Sequence, residues 1–355
     1  MTTTLASETA VPILASELET MLQFSRTVFQ LKDNPAYLAS LESELPAAAR
    51  IATAWPSVLM GFDFHLTENG PKLIEINNNA GGLYIGKQRW LDQMNDAQMP
   101  GSLPERIGAM FPKQWMNIAI MDEHVTSQYM YPEMCAYAEL LRSDGRNVCV
   151  VSPEELHRGT DGKLYYQQLA IDAIYNRHTD FYLQGEELAH IRAAYESAQV
   201  ILNPHPRSYA LIGDKTRMVD WWKPGLLEGS IEQEQLALIR AVTPKTHSMA
   251  DLDEQLMWAD RKQWVFKPTA RHGGKGVVLG KAMSRKRFES LDREDTIVQQ
   301  LVPASKIELE GRSMKLDIRL YMHGEKLIAL AGRAWLGQLT NFREEGSGWV
   351  ALSLA

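Results

Sequence analysis

The chain has 355 residues, of which 45% are hydrophobic and 23% are charged, and its formal net charge at pH 7 is −7. This length allows a large buried core divided among two or three sub-domains. The negative charge excludes nucleic acid as the main partner, because phosphate backbones need a basic surface. Two cysteines, Cys135 and Cys149, are too few for a disulfide framework and lack metal-ligand spacing. The start of the sequence has no basic n-region, and no apolar run approaches the roughly 18 residues of a membrane span, so we expect a cytoplasmic protein that does not enter membranes.

The first third of the chain is predicted to contain helices followed by a two-stranded hairpin. Residues 12–54 have helical periodicity and end in the alanine-rich LPAAARIATAW. SVLMGFDFHL and KLIEIN then have the composition of strands on either side of T-E-N-G. We predict a three-residue turn at 68–70 with the glycine in the left-handed conformation, which places Thr67 opposite Pro71.

Three oxygen-bearing side chains of this hairpin are predicted to share one face. Glu75 and Asn77 project to the same side of their strand because the side-chain period is two, and the predicted register brings Asp63 opposite Glu75. Two carboxylates and an amide oxygen form a hard-oxygen site suited to Mg²⁺, which keeps waters and shares substrate phosphates. The Ala80-Gly81-Gly82 run that follows would let the backbone approach a ligand closely. The alternative is an exposed hairpin with scattered polar residues.

Strands and helices alternate from residue 116 to residue 203, which favours a parallel sheet in an open α/β domain. The predicted strands are NIAIM, NVCVVS, DAIYNR and QVILNP, and the predicted helices are YPEMCAYAELLRS and EELAHIRAAYESA. No G-x-G-x-x-G follows NIAIM, so the dinucleotide-binding fingerprint is absent.

The segment WVFKPTARHGGKGVVLG, residues 264–280, combines a strand-end lysine with a glycine-rich loop. Glycines let backbone N–H groups turn toward an anion, and basic side chains add charge. The loop is not a Walker A motif, because G-x-x-x-x-G-K-[ST] is missing and a strand follows it. A surface hairpin with basic residues is the alternative. The candidate anion-binding residues are Lys267, Arg271, Gly273, Gly274, Lys275 and Gly276.

The segment TIVQQLVP, residues 296–303, is an apolar strand interrupted by two glutamines. Such a strand can present backbone N–H and C=O groups to the edge of an adenine ring, and an ordinary edge strand is the alternative. The candidate nucleotide-binding residues here are Gln299, Gln300, Leu301 and Val302.

The tail LDIRLYMHGEKLIALAGRAW…TNF predicts two antiparallel strands joined by a G-E-K turn. Alternation sends Asp317 and Arg319 to one face of the first strand. Arg333, near the end of the second strand, would clamp a transition state beside the glycine-rich loop, and Asn341 follows it. The alternative is a solvated, salt-bridged sheet face.

Together these motifs resemble an ATP-grasp enzyme. The tail is similar to the D-x-R…G…A…R…N stretch of the ribosomal-protein glutamate ligase branch. GFDFHLTENGPKLIEINNNAGG resembles the metal-binding hairpin of that branch and of D-alanine–D-alanine ligases. Those ligases place an arginine two residues before the aspartate, where this chain has Gly61. Arg333 would therefore have to take the role of that arginine.

The early position of the hairpin resembles eukaryotic glutathione synthetase and its permuted relatives. Their E-I-N-x-x-x-x-x-x-G-G-L run is similar to Glu75-Ile76-Asn77 through Gly81-Gly82-Leu83, with a shorter spacer here. DAIYNRHTDFY, ESAQVILNP and GDK extend the likeness into the substrate domain. The matches cover about 55–90, 170–220 and 262–345.

The resemblance implies an α/β (α+β) fold class: an ATP-grasp fold, circularly permuted, with an open parallel-sheet substrate domain. Residues 1–112 would be the N-terminal helices and the metal-binding part. Residues 113–212 would be a Rossmann-like substrate domain, and 213–355 the ATP-binding part with its lid loop.

The resemblance also implies an ADP-forming ligase that joins a carboxylate to an amine through an acylphosphate. A phosphotransferase and a nucleotide-binding regulator without turnover are the alternatives. ATP and one or two Mg²⁺ ions, or Mn²⁺, would be the cofactors. Amino acids, peptides or amines would be the partners, and family members are often homodimers. The implied roles are metal binding by Asp63, Glu75 and Asn77, phosphate binding by Lys215 and Lys267, catalysis by Arg319, Arg333 and Asn341, and acceptor binding by Asn176, Arg177, Gly81 and Gly82, with Arg207 as a further carboxylate binder.

Overall fold

The structure is a computed structural model, and it describes residues 10–83, 99–269, 276–338 and 346–355. Its strands are β1 (Val11–Ile13), β2 (Met60–Thr67), β3 (Gly70–Asn77), β4 (Asn117–Met121), β5 (Asn147–Val151), β6 (Leu156–Arg158), β7 (Leu164–Tyr166), β8 (Leu169–Ala170), β9 (Ala173–Asn176), β10 (Ile201–Asn203), β11 (Thr246–Ser248), β12 (Trp264–Pro268), β13 (Val278–Leu279), β14 (Thr296–Gln300), β15 (Ser305–Leu309), β16 (Arg312–His323), β17 (Lys326–Trp335), β18 (Gly348–Val350) and β19 (Leu352–Leu354).

The α-helices are α1 (Ala15–Gln30), α2 (Pro35–Leu41), α3 (Ala47–Arg50), α4 (Leu103–Ala109), α5 (Tyr131–Ser143), α6 (Ala189–Glu196), α7 (Pro206–Ser208), α8 (Thr216–Asp220), α9 (Gln233–Val242), α10 (Glu254–Asp260) and α11 (Arg285–Glu289). Short 3₁₀ turns occupy Leu31–Asp33, Val125–Ser127, Pro153–Glu155, Glu186–Leu188, Arg261–Gln263 and Gly280–Ala282, and a π turn occupies Tyr209–Gly213. None of the helices within the described residues has the length and apolar character that a bilayer crossing requires.

An antiparallel sheet in the order β18-β17-β16-β2-β3 carries most of the predicted site residues. β15 pairs with the first half of β16, and β2 pairs with its second half, from Ile318 opposite Phe64 to Met322 opposite Met60. The predicted antiparallel tail is confirmed, with β16 and β17 joined at 324–325. The hairpin from the first quarter of the chain therefore hydrogen-bonds to a strand from the last fifth.

The turn of the β2–β3 hairpin is one residue shorter than predicted. Thr67 pairs with Gly70, whose φ is +81°, and not with Pro71. The register then shifts by one residue at Ile74, as in a β-bulge, so Asp63 still lies opposite Glu75. The predicted turn was wrong, and the bulge explains why the predicted pairing of the two acids was nevertheless right.

A second sheet, in the order β10-β9-β4-β5, is parallel throughout, as the alternating pattern predicted. Ile118 and Ile120 of β4 belong to one hydrophobic core with α5, and Ala119 and Met121 belong to another with α6. Helices therefore cover both faces, which is why β4 is continuously apolar and buried after Asn117. The strand order reverses between β4 and β9, and ligands of open α/β sheets bind in the crevice at the carboxyl ends of strands at such a switch point.

A third sheet, in the order β11-β14-β12-β13, follows in the second half of the chain. β14 lies inside this sheet, so the edge-strand alternative for TIVQQLVP is wrong. Phe266 of β12 packs perpendicular to Phe288 of α11, with ring centroids 5.8 Å apart.

The N-terminal region is less helical than predicted. Val11–Ile13 is a strand that pairs with β19, and α1, α2 and α3 are separated by non-helical residues. At the start of α1 the Glu17 carboxylate accepts a hydrogen bond from the Leu14 N–H, which satisfies one unpaired helix donor. Phe24 of α1 packs edge-on against Phe64 of β2, 5.9 Å between centroids, so α1 supports the hairpin.

Candidate functional site

Asp63 is the centre of a buried ion-pair network on the six-stranded sheet. Arg319, directly opposite on β16, donates from Nε and Nη2 to the two carboxylate oxygens, each at 2.6 Å. Arg333 lies 2.8 Å from Asp63 Oδ2 and also donates twice to Asp317, at 2.6 and 2.9 Å. Asn77 donates from Nδ2 to Asp63 Oδ2 at 3.1 Å. Two arginines thus share two aspartates across three strands.

Electrostatics keep this network charged. Burial alone would raise the pKa of Asp63, but the charges of Arg319 and Arg333 outweigh burial and lower it to about 2. Burial lowers the pKa of the Arg319 guanidinium, and the adjacent Asp63 more than compensates, so the net shift is upward. All of these side chains are buried, and bidentate arginine–carboxylate pairs give such charges both compensation and fixed geometry.

Glu75 and Lys215 link the hairpin to the segment that precedes α8. Lys215 Nζ lies 3.5 Å from Glu75 Oε1, and the lysine is only 6% exposed. Lys215 was predicted from the resemblance alone. The structure brings it to the face of β3 that carries Glu75, Asn77 and their neighbour Asp63.

Lys267 of β12 contacts β3 at the β-bulge, next to Glu75. Its Nζ donates to the carbonyl oxygen of Ile74 at 2.8 Å and to Gln299 Oε1 at 2.6 Å. Burial lowers the pKa of Lys267, the charge of Glu75 opposes this shift and the charge of Lys215 adds to it, and the net result is a pKa of about 8. The bulge at Ile74 therefore provides a carbonyl that positions the lysine, as well as setting Glu75 opposite Asp63.

The four candidate nucleotide-binding residues of TIVQQLVP, Gln299 to Val302, have different surroundings. Gln299 is buried and holds Lys267, while Gln300 is exposed. The N–H groups of Gln300 and Leu301 donate to the carbonyls of Lys245 and Gln263, so these two donors are already used within the fold. The carbonyl of Val302 is in hydrogen-bond contact with His65 at 3.0 Å.

Gly81 and Gly82 lie where the hairpin meets the parallel-sheet domain. Arg319 Nη1 and Tyr321 Oη donate to the Gly81 carbonyl at 3.2 and 3.0 Å, and the Gly82 N–H donates to Glu133 at 2.9 Å. Arg177 donates to the Ala80 carbonyl at 3.0 Å and to the Asn79 side chain. The predicted acceptor residues Arg177, Gly81 and Gly82 are therefore brought together, with Arg319 joining them to the ion-pair network.

Asn176 and Arg177 occupy the carboxyl end of β9, at the switch point of the parallel sheet. Asn176 is buried and accepts a hydrogen bond from the N–H of His178 at 3.1 Å. Arg207, in contrast, donates to the carbonyl of Ala49 and lines a cavity of about 350 Å³ together with His323 and Trp55. Among the described residues, Arg207 and Arg177 therefore have different surroundings.

The structure describes only part of the predicted glycine-rich loop. Gly276 is described and has a φ of +80°. Outside the described residues lie Arg271, Gly273, Gly274, Lys275 and Asn341.

The donor set fits a shared metal ion in part. Within residues 10–83, 99–269, 276–338 and 346–355, no group of three or more His, Cys, Asp or Glu side chains could hold a metal. Asp63 is committed to two arginines, and Asn77 donates its amide nitrogen to Asp63, so the Asn77 amide oxygen takes no part in that hydrogen bond. Glu75 and Asn77 would hold Mg²⁺ only with further ligands, such as phosphate oxygens and waters.

Two residues of the site were missed from the sequence. Glu133 lies on α5 and binds the Gly82 N–H, and Tyr321 lies on β16 and binds the Gly81 carbonyl. Tyr321 shares the face of Asp317 and Arg319 by period-two alternation, so the pattern could have included it. Nothing near Glu133 in the sequence indicates its contact.

The combination of antiparallel and parallel sheets is a fold of the ATP-grasp type. No protein-family model matches the sequence, and no curated protein matches it. Similarity is found among solved structures. A glutathione synthetase-like effector (GSS30) from Globodera pallida, in its apo form, is 12% identical, with 97% of this chain and 88% of that chain covered and a TM-score of 0.62. A candidate γ-glutamylcysteine synthetase from Methylobacillus flagellatus KT is 13% identical, with 93% and 85% covered and a TM-score of 0.55. At this identity the likeness establishes the fold alone.

Proposed function

We propose that this chain is an ATP-dependent, ADP-forming ligase that joins a carboxylate to an amine. The observation that carries the proposal is the placement of two buried lysines, Lys215 and Lys267, around Glu75. The two groups that accept hydrogen bonds from Lys267 are neutral, and burial of a cation without a strong anionic partner is costly. Nucleotide phosphates supply that partner.

The proposed reaction transfers the γ-phosphoryl group of ATP to a carboxylate oxygen of the first substrate, which yields an acylphosphate and ADP. The amine nitrogen then attacks the acyl carbon, phosphate leaves with the C–O bonding pair, and the amine loses a proton to solvent. Positioning and charge stabilisation account for most of such catalysis.

In this proposal Lys215 and Lys267 bind phosphates, and the glycine-rich loop 269–276, predicted from the sequence, would close over them. Glu75 and Asn77 hold Mg²⁺, or Mn²⁺, with the phosphate oxygens, and the metal neutralises their charge. Asp63, predicted as a metal ligand, holds Arg319 and Arg333 in place for the transferring phosphoryl group. Asn341 completes the catalytic set, and the main chain near Gln300 to Val302 borders the adenine.

The acceptor is proposed to bind at the carboxyl end of β9, beside Asn176, Arg177 and the Gly81-Gly82 backbone. Amino acids, peptides or amines are its candidate chemistry, which agrees with the names of the two structural neighbours. We also propose the division into 1–112, 113–212 and 213–355, with a permuted order of the ATP-grasp parts.

One observation favours a second function, a nucleotide-binding regulator without turnover. Both oxygens of Asp63 are held by arginines, which removes one of the three predicted metal ligands. Mixing the protein with ATP, Mg²⁺ and an amino-acid pool distinguishes the candidates. ADP, phosphate and a condensed product support the ligase, a phosphorylated product supports a phosphotransferase, and nucleotide binding without ADP supports the regulator.

The same assay tests the site through Glu75→Gln. Loss of a preorganised charge contact typically lowers the rate by about 10²–10³, so ADP formation should fall by that factor. Glu68→Gln is the matched control, because Glu68 is exposed at the tip of the same hairpin. Equal activity of Glu75→Gln and Glu68→Gln would show that the metal assignment is wrong.

A further inference from the structure

The segment 176–182, which follows β9, is held by three consecutive side-chain-to-backbone hydrogen bonds. Asn176 Oδ1 accepts from the N–H of His178 at 3.1 Å, His178 Nδ1 accepts from the N–H of Asp180 at 3.1 Å, and Asp180 Oδ1 accepts from the N–H of Tyr182 at 3.2 Å. Bonds of this kind fix a local backbone conformation. The segment therefore connects the carboxyl end of β9 to Tyr182 through polar contacts at every second residue.

Tyr182 continues this connection to the lysine segment. Its hydroxyl donates to Asp214 Oδ2 at 2.9 Å, and the other oxygen of Asp214 accepts from the N–H and hydroxyl of Thr216 at 3.0 and 2.8 Å. Burial, and then the charge of Asp214, raises the pKa of Tyr182, so the hydroxyl stays a donor. Asp214 is thus fixed from both sides, and Lys215 is the next residue.

Aromatic packing also stabilises the contact between the 176–182 segment and Asp214. Tyr209 stacks on Phe181 with 4.3 Å between centroids and packs edge-on against Tyr182 at 5.2 Å. The carbonyl of Tyr209 accepts from the Asp214 N–H at 2.8 Å. Tyr182 therefore binds the side chain of Asp214 directly, and Tyr209, which packs on Tyr182, binds its backbone N–H. Asp214 in turn binds the N–H of Thr216, so the residues on both sides of Lys215 are held in place.

We propose that Tyr182 is a positioning residue that holds Lys215 for phosphate binding and couples it to the acceptor crevice at the end of β9. This inference rests on the proposed function, because it takes Lys215 as a phosphate ligand. Coupling of this kind is reciprocal: a ligand that stabilises the 176–182 segment strengthens nucleotide binding, and nucleotide strengthens binding of that ligand by the same factor.

The test measures binding of AMPPNP with Mg²⁺ by titration calorimetry, without turnover. Tyr182→Phe keeps the ring packing and removes the hydrogen bond to Asp214. We expect about 10-fold weaker binding, the usual consequence of losing a hydrogen bond to a charged group. Tyr165→Phe is the matched control, because Tyr165 donates to Asp161 at 2.8 Å on an exposed hairpin, and it should bind like the wild type.

A double-mutant cycle shows whether Tyr182 acts through Lys215. Lys215→Met alone should weaken binding, and Tyr182→Phe with Lys215→Met should be no weaker than Lys215→Met, because the positioned group is gone. Asp180→Ala, which breaks the segment one step earlier, should behave as Tyr182→Phe does and provides a second variant if Tyr182→Phe does not fold.

The outcomes separate the two proposals. Wild-type binding by Tyr182→Phe, or additive losses in the double variant, would overturn the positioning role while leaving the proposed function intact. Failure of the folded wild type to bind AMPPNP would overturn the proposed function, and this inference with it.

Discussion

Arg319 holds both carboxylate oxygens of Asp63, with Nε and Nη2 each 2.6 Å from one oxygen. The two residues face each other on β16 and β2 although 256 positions separate them in the chain. The pair therefore joins the early hairpin to the C-terminal strands by charge as well as by backbone hydrogen bonds.

Removal of Asp63 should destabilise the protein strongly. Asp63→Ala would leave Arg319 and Arg333 buried with one carboxylate, Asp317, between them. Breaking a buried ion pair by removing one partner costs about 3–5 kcal/mol, so the free energy of unfolding in urea should fall by that amount. Asp161→Ala, at an exposed position, should change it by no more than about 0.5 kcal/mol. Similar losses in the two variants would mean that the network contributes little.

Nucleotide affinity should depend on pH through Lys267. Its folded-state pKa of about 8 lies below the ordinary value of 10.5, so the folded chain binds fewer protons than the unfolded chain between these values. Stability is consequently reduced below pH 8 and rises with pH across the window. Phosphates bind the charged lysine, so AMPPNP affinity should fall above pH 8, by at most about tenfold per pH unit.

Calorimetry in buffers of different ionisation enthalpy provides the readout, because binding near pH 8.5 should take up protons from the buffer. Lys267→Arg is the control, since an arginine stays charged throughout this range and its nucleotide affinity should not change between pH 7 and 9.5. A wild-type affinity that is equally insensitive to pH would contradict the role of Lys267.

Local pattern predicted much of this fold. Period-two alternation placed Glu75 with Asn77 and Asp317 with Arg319, and continuous apolar character indicated NIAIM as a buried strand. These features depend on a few adjacent residues and on the side on which their side chains project. The parallel direction of β4, β5, β9 and β10 was predicted from the alternation of strands and helices.

Long-range contacts were not predictable in the same way. The bulge at Ile74 has no proline or glycine to indicate it, and the carbonyl it presents binds Lys267 from 193 positions away. Arg333 was predicted as a transition-state clamp and Arg319 as a catalytic residue, and neither was predicted as a partner of Asp63, because sequence spacing gives no information on which side chains pair with an aspartate. Glu133 was missed because its contact is with the backbone of Gly82, which has no side-chain pattern.

The Gly81-Gly82 junction leads to the last prediction. Gly82 has a φ of +93°, and a Cβ added there would lie 2.3 Å from Cζ2 of Trp349. Gly70 has a similar φ of +81° with nothing within 4 Å of the added Cβ. Alanine at either position costs about 1–2 kcal/mol for the left-handed backbone, and only Gly82→Ala adds overpacking of about 1–3 kcal/mol.

Urea unfolding of the two variants should therefore show Gly82→Ala to be less stable than Gly70→Ala by roughly 1–3 kcal/mol. Trp349→Leu provides the internal check, because removing the ring removes the atoms that the new methyl group meets. In that background the extra cost of Gly82→Ala over Gly70→Ala should shrink toward zero, as expected for two residues in direct contact. Equal losses for the two glycines in the wild-type background would show that the junction has room for a side chain and that backbone strain alone selects glycine at position 82.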